Sequence, residues 1–353
     1  MKRHPLCGAA MLAPLFLALA SAGPLSGQSR ALAEDVPEIE FESVPDFLKL
    51  PPDIHLGEAM GVATNSRGHI FVYTRTGDTR LFEFDPSGNY VREIGEGLYG
   101  FEFAHKVRVD SLDNIWAVDE GTNMVIKFNP AGRVEMVLGA RPEAADGVLH
   151  ANAIVRLNEP YLFARPTDVG FDPQGNIFIS DGYQNSRVVK YSLEGRFLGQ
   201  FATNERGEAV DELNTPHTLA VDRQGRVYVG DRGNRRVQVL DNDLNLIATY
   251  DTVGNPWELC VSGGEHQYLF VSNSNPDSNP AASWAQTGEI YMMELDGTII
   301  GRFGEAGKNI GQFQTVHGLD CRNPAELIVA EISAWRVQKI LVKHPRLASD
   351  SDR

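Results

Sequence analysis

The sequence is short of cysteine, of basic charge and of long apolar runs. Three Cys in 353 residues are too few for a disulfide framework, which excludes the small disulfide-stapled domains. Lys and Arg number 32 against 47 Asp and Glu, which gives a net charge of −15 without any basic run. Because binding to a phosphate backbone depends on clustered Lys and Arg, a nucleic-acid partner is excluded. Past the N-terminal region no run of about 18 apolar residues occurs, so we expect no transmembrane anchor.

What the sequence does contain predicts a folded protein with a real core. Hydrophobic residues make up 42% of the chain, more than a disordered chain of this charge would carry. The length suits two or three average domains, or one large all-β domain.

Residues 1–22 have the pattern of an export signal. Lys2 and Arg3 form a positive start, an apolar stretch follows, and Ala20-Ser21-Ala22 matches a cleavage site. We therefore expect an exported protein, periplasmic or secreted, in which residues 23–37 are a linker. Cleavage would leave two cysteines, Cys260 and Cys321. Export permits a disulfide between them, and two small core residues are the favoured interpretation.

One unit of ten residues recurs along the chain and predicts its fold. Each copy is a turn followed by a short β-branched and aromatic run, which is typical of a strand. One further run precedes each turn, and in most copies two more follow. The clear copies are residues 65–74, 110–119, 172–181 and 222–231, and two degenerate copies end at 269–273 and 327–331.

Four short strands repeated about six times predict an all-β, six-bladed β-propeller with four-stranded antiparallel blades. The last copy runs out after three strands, and the extended stretch 38–43 could supply its outer strand and close the ring. We expect the propeller to span residues 38–343, the tail 344–353 to be disordered, and the protein to be a monomer.

Aligned on their turns, the six copies place one residue each at the start of an innermost strand. In a six-bladed ring alternate blades are about 120° apart, so residues from three of them converge on one point. Here blades two, four and six each carry a His, and three His with an open fourth position are typical of catalytic zinc. The alternative is a polar plug of hydrogen-bonded His. The six positions are Met60, His105, Thr167, His217, Trp257 and His317.

Residues that follow the second strand of each copy should surround the same mouth, because successive strands of a blade are antiparallel. Two Arg there, Arg75 and Arg232, could fork onto the carboxylate of an anionic substrate. Tyr183 beside a metal could act as a general base. The alternatives are solvated loop charges and a stacking Tyr. The full set is Arg75, Glu120, Gly182, Tyr183, Arg232, Ser274 and Ile332.

Two motifs carry a family resemblance. An Asp followed by Asn, Arg and Val, in residues 181–188 and 231–237, resembles the NHL repeat. More narrowly, Arg165-Pro-Thr-Asp-Val169 with Ser180-Asp-Gly-Tyr-Gln-Asn-Ser-Arg187 resembles the peptidyl-α-hydroxyglycine α-amidating lyases. The resemblance covers residues from about 55 to 342.

The resemblance implies a six-bladed propeller that cleaves a peptidyl-α-hydroxyglycine into a peptide amide and glyoxylate. It implies zinc on the three ring histidines, Tyr183 as the base, and Arg75 and Arg232 as groups that orient the substrate or stabilise charge. It also implies a structural calcium held by the backbone carbonyls of Val62 and Val107. Three departures from the family occur: Gly318 for an Asp that ligates calcium, Thr315 for a substrate-contacting Met, and Gln184 for the Cys of animal members.

Three functions follow as hypotheses. The first is an exported zinc-dependent carbon–nitrogen lyase that acts on a small anionic or peptide-like substrate. The alternative is a non-catalytic NHL propeller that binds a protein, peptide or glycan. A calcium-dependent lactonase-type propeller ranks third, because oxygen ligands suit that cation and the axial ring carries nitrogen.

Overall fold

The computed structural model describes residue 33 and residues 35–141, 159–203, 205–274 and 288–348. The predicted export signal and residues 23–32 of the predicted linker lie outside the described residues. None of the described helices has the length and hydropathy to cross a bilayer.

The recurring Asp or Asn of each turn explains why the chain reverses at regular intervals. Oδ1 of Asp172 accepts hydrogen bonds from the backbone N–H groups of Gln174 (2.9 Å) and Asn176 (2.8 Å). Gly175 completes the turn at φ 83°, a conformation in which a side chain would be strained. Asp110 and Asp222 make the equivalent bonds in their own repeats. The polar residues of the repeat therefore form the hydrogen bonds of each turn, and the apolar residues that follow form a buried strand.

In the described part of the chain, twenty-four strands form six separate four-stranded antiparallel sheets, so the predicted six-bladed propeller is confirmed. Strand β1 (Glu40–Val44) comes first in the chain and belongs to the last blade. Blades one to three are β2 (Glu58–Thr64), β3 (Ile70–Arg75), β4 (Arg80–Phe84), β5 (Tyr90–Ile94); β6 (Ala104–Val109), β7 (Ile115–Asp119), β8 (Met124–Phe128), β9 (Val134–Gly139); and β10 (Pro166–Phe171), β11 (Ile177–Asp181), β12 (Arg187–Tyr191), β13 (Phe197–Phe201).

The remaining blades continue the same order from the axis outwards. Blades four to six are β14 (Pro216–Val221), β15 (Val227–Asp231), β16 (Arg236–Leu240), β17 (Leu246–Tyr250); β18 (Pro256–Val261), β19 (Tyr268–Asn273), β20 (Glu289–Glu294), β21 (Ile299–Phe303); and β22 (Val316–Asn323), β23 (Glu326–Glu331), β24 (Arg336–Lys343).

The two ends of the chain meet in blade six. β1 pairs antiparallel with β24, from Glu40 opposite Lys343 to Val44 opposite Lys339. This is the closure predicted for the stretch 38–43, and it covers an edge that would otherwise be open.

The core lies between neighbouring blades rather than within one of them. In one cluster Tyr73 and Leu81 of blade one pack with Ile115 and Ile126 of blade two, and all four side chains are buried. Equivalent clusters join the other neighbours, including blade six to blade one across the closure. Because each blade buries its faces only against its neighbours, the closed ring is the unit of stability.

Cys260 and Cys321 form a disulfide, so the favoured interpretation of two unlinked core residues is wrong. They lie on the innermost strands of blades five and six, β18 and β22, with a Cα–Cα distance of 5.9 Å. The repeats place both near the axis, but their distance depends on how adjacent blades pack, which spacing in the sequence does not give.

Replacement of both cysteines by Ser is expected to lower the free energy of unfolding by about 2–4 kcal/mol, because the open chain regains the entropy that the link removes. Chemical denaturation with and without a thiol reductant measures the effect. Reductant should destabilise the wild type and leave the double variant unchanged. Equal sensitivity of the two proteins would show that the link does not form.

The C-terminal segment differs from the predicted disordered tail over a few residues. Pro345–Ala348 form a short helix, α1, and Leu347 is buried against the cluster of blades five and six. Burial of one Leu accounts for this local order. Residues 349–353 lie outside the described part of the chain.

Candidate metal centre

All six ring positions occupy the same irregularity in the innermost strands. Each is the unpaired extra residue of a β-bulge: His105, for example, lies between Ala104, opposite Asp119, and Lys106, opposite Val118. The five other blades show the same register shift around Met60, Thr167, His217, Trp257 and His317. The ring residues are therefore second or third in their strands, not first as expected. A bulge turns its extra residue away from the pleat, and in blades two, four and six it brings the three histidine side chains together.

The three histidines have one orientation, repeated around the axis. Nδ1 of His105 donates a hydrogen bond to the carbonyl of Thr167 (2.5 Å), and Nδ1 of His217 to that of Trp257 (2.7 Å). Nδ1 of His317 donates to the carbonyl of Met60 (2.6 Å). Each acceptor is the ring residue of the next blade. Since a carbonyl only accepts, Nδ1 carries the proton in all three, and Nε2 is left with a lone pair.

The side chains of these histidines meet at one point. Their ring centroids are 4.6–4.8 Å apart and their ligand atoms lie within 4.8 Å of one another. The hydroxyl of Tyr183 lies 3.2 Å from Nε2 of His105 and 3.0 Å from Nε2 of His217. That hydroxyl has one proton and can satisfy only one of the two nitrogens. Nε2 of His317 is buried and has no hydrogen-bond partner among the described residues.

This arrangement fits a metal ion better than a hydrogen-bonded plug. A plug would leave two buried imidazole lone pairs without a donor, which costs free energy. Three neutral imidazoles, each oriented by a backbone carbonyl, are the donor set of an open catalytic site. The three histidines could hold one metal ion, as the alternation of the repeats predicted.

Burial lowers the pKa of all three histidines well below the ordinary value of 6.5, because a charged imidazole is poorly solvated there. The positive charges of Lys106 and Arg75 act in the same direction on His105 and His317, and that of Arg232 on His217. At neutral pH the three side chains are therefore uncharged and ready to bind a metal.

The lowered pKa values predict that metal binding persists through mildly acidic pH. Only the neutral imidazole binds a metal, so protons compete below the folded-state pKa and not near 6.5. Metal retained after equilibrium dialysis at a series of pH values should stay constant down to about pH 6 and fall only below it. Loss of half the metal near the pKa of a solvated His would contradict this geometry.

Tyr183 reaches the centre from a loop that needs glycine. A Cβ added at Gly182 would lie 1.9 Å from the carbonyl oxygen of Pro216, so no larger residue fits there. The backbone N–H of Tyr183 donates to the carbonyl of Arg165 (3.3 Å), and its own carbonyl accepts from Arg206 (2.5 Å). The Tyr is thus held between blades three and four, above the two histidines that it contacts.

The remaining polar residues of the same motif lock this loop. The carboxylate of Asp181 accepts hydrogen bonds from Asn185 Nδ2 (2.6 Å), Arg187 Nε (3.1 Å) and the backbone N–H of Ala164 (2.8 Å). Asp181 and Arg187 are fully buried. The Asp, Asn and Arg of the motif therefore position Tyr183 without touching the centre.

Arg232 lies in the corresponding place after β15, in a 3₁₀ turn, Arg232–Asn234. Its guanidinium carbon is 5.4 Å from the centroid of the Tyr183 ring and 4.1 Å from that of Trp257. The ring of Trp257 in turn contacts that of His217, with centroids 5.1 Å apart and the planes tilted by 60°. The structure thus brings Arg232 beside Tyr183 and the ring, as predicted.

Arg75 is near the ring but shares its charge with two carboxylates. Its Nε donates to Glu58 (2.6 Å), and its Nη1 is 3.9 Å from Glu120. Its guanidinium lies over the ring of Phe103 at 3.8 Å. Arg75 is therefore anchored before any substrate arrives.

Glu120 and Arg165 also lie beside the histidines and Tyr183, a proximity that the sequence did not predict. A carboxylate oxygen of Glu120 lies 4.0 Å from Nε2 of His105, and burial raises the pKa of this carboxyl. Arg165 pairs with Glu120 and places its guanidinium carbon 5.1 Å from the ring centroid of Tyr183. Glu120 did occupy a mouth position in the aligned repeats, and that was the only available indication.

The residues around Val62 and Val107 do not fit calcium. Both lie buried on the inner strands β2 and β6. A Cβ added at Gly318, where the resemblance places an Asp ligand, would lie 2.9 Å from the backbone nitrogen of Val62. The ammonium of Lys106 donates to the neighbouring carbonyl of His317.

Comparison with known proteins finds similar sequences and similar folds. The NHL repeat family model matches residues 213–240. A probable peptidyl-alpha-hydroxyglycine alpha-amidating lyase of Caenorhabditis elegans is 26% identical over 272 residues, 69% of this chain and 74% of the relative. Peptidyl-alpha-hydroxyglycine alpha-amidating lyase 1 of Drosophila melanogaster is 31% identical over 259 residues, 68% of this chain and 45% of the relative. NHL repeat-containing protein 3 of Mus musculus is 25% identical over 316 residues, 82% and 81% of the two chains.

Solved structures share the fold at low identity. A streptogramin B lyase structure has a TM-score of 0.55 at 15% identity and covers 88% of this chain and 100% of that one. A gluconolactonase of Xanthomonas campestris has a TM-score of 0.57 at 15% identity, with 90% and 98% covered. The chain is a six-bladed β-propeller, and residues 213–240 match the NHL repeat. Within that class it resembles the peptidyl-α-hydroxyglycine α-amidating lyases, although it spans only 22% of the longer mouse peptidyl-glycine alpha-amidating monooxygenase.

Proposed function

We propose that this protein is a zinc-dependent lyase that cleaves the C–N bond of a peptidyl-α-hydroxyglycine-type substrate to an amide and glyoxylate. One observation carries the proposal: three buried Nε2 atoms face a common point, and the hydroxyl of Tyr183 contacts two of them. The similarity to amidating lyases supports the substrate class.

The histidines are the residues that would hold the zinc, on the geometry of their nitrogens. Zinc bound there would act as a Lewis acid toward the substrate hydroxyl. His105, His217 and His317 are fully buried, so water is excluded from that side of the site.

Tyr183 is the proposed base. Its own proton is first released to solvent; Oη then takes the proton of the substrate hydroxyl, the O–H electron pair forms the C=O bond of glyoxylate, and the electron pair of the C–N bond leaves with nitrogen. The same Oη returns the proton to that nitrogen, which completes the amide. Arg232 and Arg165, whose guanidinium carbons lie 5.4 and 5.1 Å from the centroid of the Tyr183 ring, stabilise negative charge on Oη while it holds no proton.

The substrate carboxylate is the group we assign to the arginines at the mouth. Arg232 offers a planar fork beside the ring, and Arg75, anchored by Glu58, is its partner from blade one. Glu120 beside Arg75 and Arg165 limits the positive charge of the mouth, which favours a substrate with one negative charge over a more anionic one.

The proposal extends to the location and state of the protein. We propose an exported monomer, periplasmic or secreted, without a nucleic-acid partner. The disulfide supports export, since such bonds persist in oxidising compartments.

The test of the activity is release of glyoxylate from N-benzoyl-α-hydroxyglycine. Zinc-loaded wild-type protein should release glyoxylate and benzamide in equal amounts, above the rate in buffer alone. Absence of both products with zinc bound would refute the lyase.

A second candidate is a non-catalytic NHL propeller that binds a protein, peptide or glycan. The match to NHL repeat-containing protein 3 across 82% of this chain favours it. It predicts saturable binding of a ligand without product formation, and the same assay separates the two functions.

A further inference from the structure

A second layer of the channel lies one residue beyond the ring and is built from charge. The residue that directly follows each of the six ring residues is a Gly in blades one and six, and a Lys, Asp, Thr or Glu in the other four. Arg108, two residues after Lys106 in β6, contacts the same cluster. The layer is Gly61, Lys106, Asp168, Thr218, Glu258 and Gly318.

Lys106 crosses the channel. Its ammonium donates to a carboxylate oxygen of Glu258 in blade five and to the carbonyl oxygen of His317 in blade six (2.5 Å). Both charged side chains are completely shielded from solvent. One lysine of blade two thereby holds two inner strands on the far side of the axis.

Arg108 makes the matching connections. Its Nη2 donates to Asp168 Oδ2 (2.6 Å) and Glu258 Oε1 (2.7 Å), and its Nε donates to Asp168 Oδ1 (3.0 Å). Thr218 Oγ1 and the backbone N–H of Leu219 donate to Asp168 Oδ2, at 2.9 and 3.0 Å. The cluster therefore spans the inner strands of blades two to six.

The charges of this cluster cancel. Lys106 and Arg108 are two cations, Asp168 and Glu258 are two anions, and every carboxylate oxygen accepts a hydrogen bond. A divalent cation placed here would have to displace an ammonium, and it would find neither a spare carboxylate oxygen nor net negative charge. Two positive charges added to a buried neutral cluster are strongly unfavourable.

The glycines show that the backbone has closed up where an ion ligand would stand. A Cβ added at Gly318 would lie 2.9 Å from the nitrogen of Val62 and 3.0 Å from Cα of Gly61. A Cβ added at Gly61 would lie 2.5 Å from the nitrogen of Val107. An Asp at position 318 would force inner strands apart.

We propose that the ammonium of Lys106 takes the place of a structural divalent cation in the channel, so that the propeller is held by its own charges and needs no calcium. Removal of this side chain exposes a cation site formed by Glu258 and the carbonyl of His317. The inference is independent of the lyase activity, since a propeller that turns over nothing would still be closed in this way.

Calcium titration of the purified wild type by calorimetry is the first test. We expect no binding tighter than about 1 mM, the weak limit of protein calcium sites. A stoichiometric site of higher affinity would overturn the proposal. Zinc content is measured in the same samples, so failure at the histidine ring is recorded separately.

Thermal unfolding of variants is the second test. Lys106→Ala leaves the buried Glu258 with Arg108 as its one cationic partner among the described residues, so that one carboxylate oxygen loses its donor, and should lower Tm by about 5–15 °C. Calcium should restore several degrees to Lys106→Ala and nothing to the wild type. Lys106→Met/Glu258→Gln, in which the remaining charges cancel and volume is kept, should be more stable than Lys106→Met and indifferent to calcium.

Lys127→Ala is the control, because this lysine pairs with Glu135 outside the channel. If calcium raises the Tm of Lys106→Ala by no more than it raises that of Lys127→Ala, the proposal is overturned. If Lys106→Ala does not fold, Lys106→Met is compared with Lys106→Met/Glu258→Gln. Equal Tm values for these two variants would show that the charge of Glu258 does not need the ammonium of Lys106, which would also overturn the proposal.

Discussion

Replacement of Tyr183 by Phe is expected to lower glyoxylate release by about 10²–10⁴-fold, the usual contribution of a general base. Only the hydroxyl is lost, and the aromatic ring keeps its contacts with Arg165 and Arg232. The metal content should not change, because the histidines keep their carbonyl partners. Steady-state kinetics and metal analysis of the same preparation measure both effects.

Tyr250→Phe is the matched control for this variant. Its hydroxyl also donates a hydrogen bond, from the outermost strand of blade four to the carbonyl of Leu295 in blade five (3.0 Å), away from the three histidines. Its activity should equal that of the wild type. Full activity in Tyr183→Phe would remove Tyr183 from the reaction, and a fall in metal content would make it a structural partner of the histidines.

Replacement of His217 by Ala is expected to abolish both metal binding and activity. Loss of a hydrogen-bond partner behind a ligand typically weakens metal binding by about 10–100-fold, so loss of a ligand itself should exceed that range. The variant also frees the carbonyl of Trp257 and removes one contact of Tyr183. Metal affinity is measured by competition with a chromophoric chelator.

His266→Ala provides the comparison, since His266 is exposed and pairs with Glu294 far from the axis. It should bind metal as the wild type does. Unchanged affinity in His217→Ala would mean that the three histidines form a hydrogen-bonded plug after all. His105→Ala and His317→Ala should behave like His217→Ala because the three positions are equivalent.

The fold was predictable because the repeat carries its own turn chemistry. Asp172 and Gly175 recur at fixed spacing, and each pair closes a turn by bonds that need only local sequence. The position of the histidines was predictable for the same reason. Residues at the same position in each repeat lie at the same level along the propeller axis. Zinc, and the roles of Tyr183 and the arginines, remain predictions.

The features that the sequence did not predict depend on contacts between blades, and an alignment of the repeats gives no information on those contacts. The Cys260–Cys321 link and the Glu120–Arg165 pair each join neighbouring blades. The sequence did not mark Lys106 among its eight lysines, because its partners are 152 and 211 residues away along the chain. The bulges were hidden as well, since a strand with an extra residue has the same composition as one without.

Titration of metal-free protein with zinc, while glyoxylate release from N-benzoyl-α-hydroxyglycine is followed, tests the central claim most directly. We predict that the rate rises in proportion to bound zinc and stops rising at one zinc per chain. A rate that does not depend on zinc, or no release at one zinc per chain, would contradict a lyase built on His105, His217 and His317.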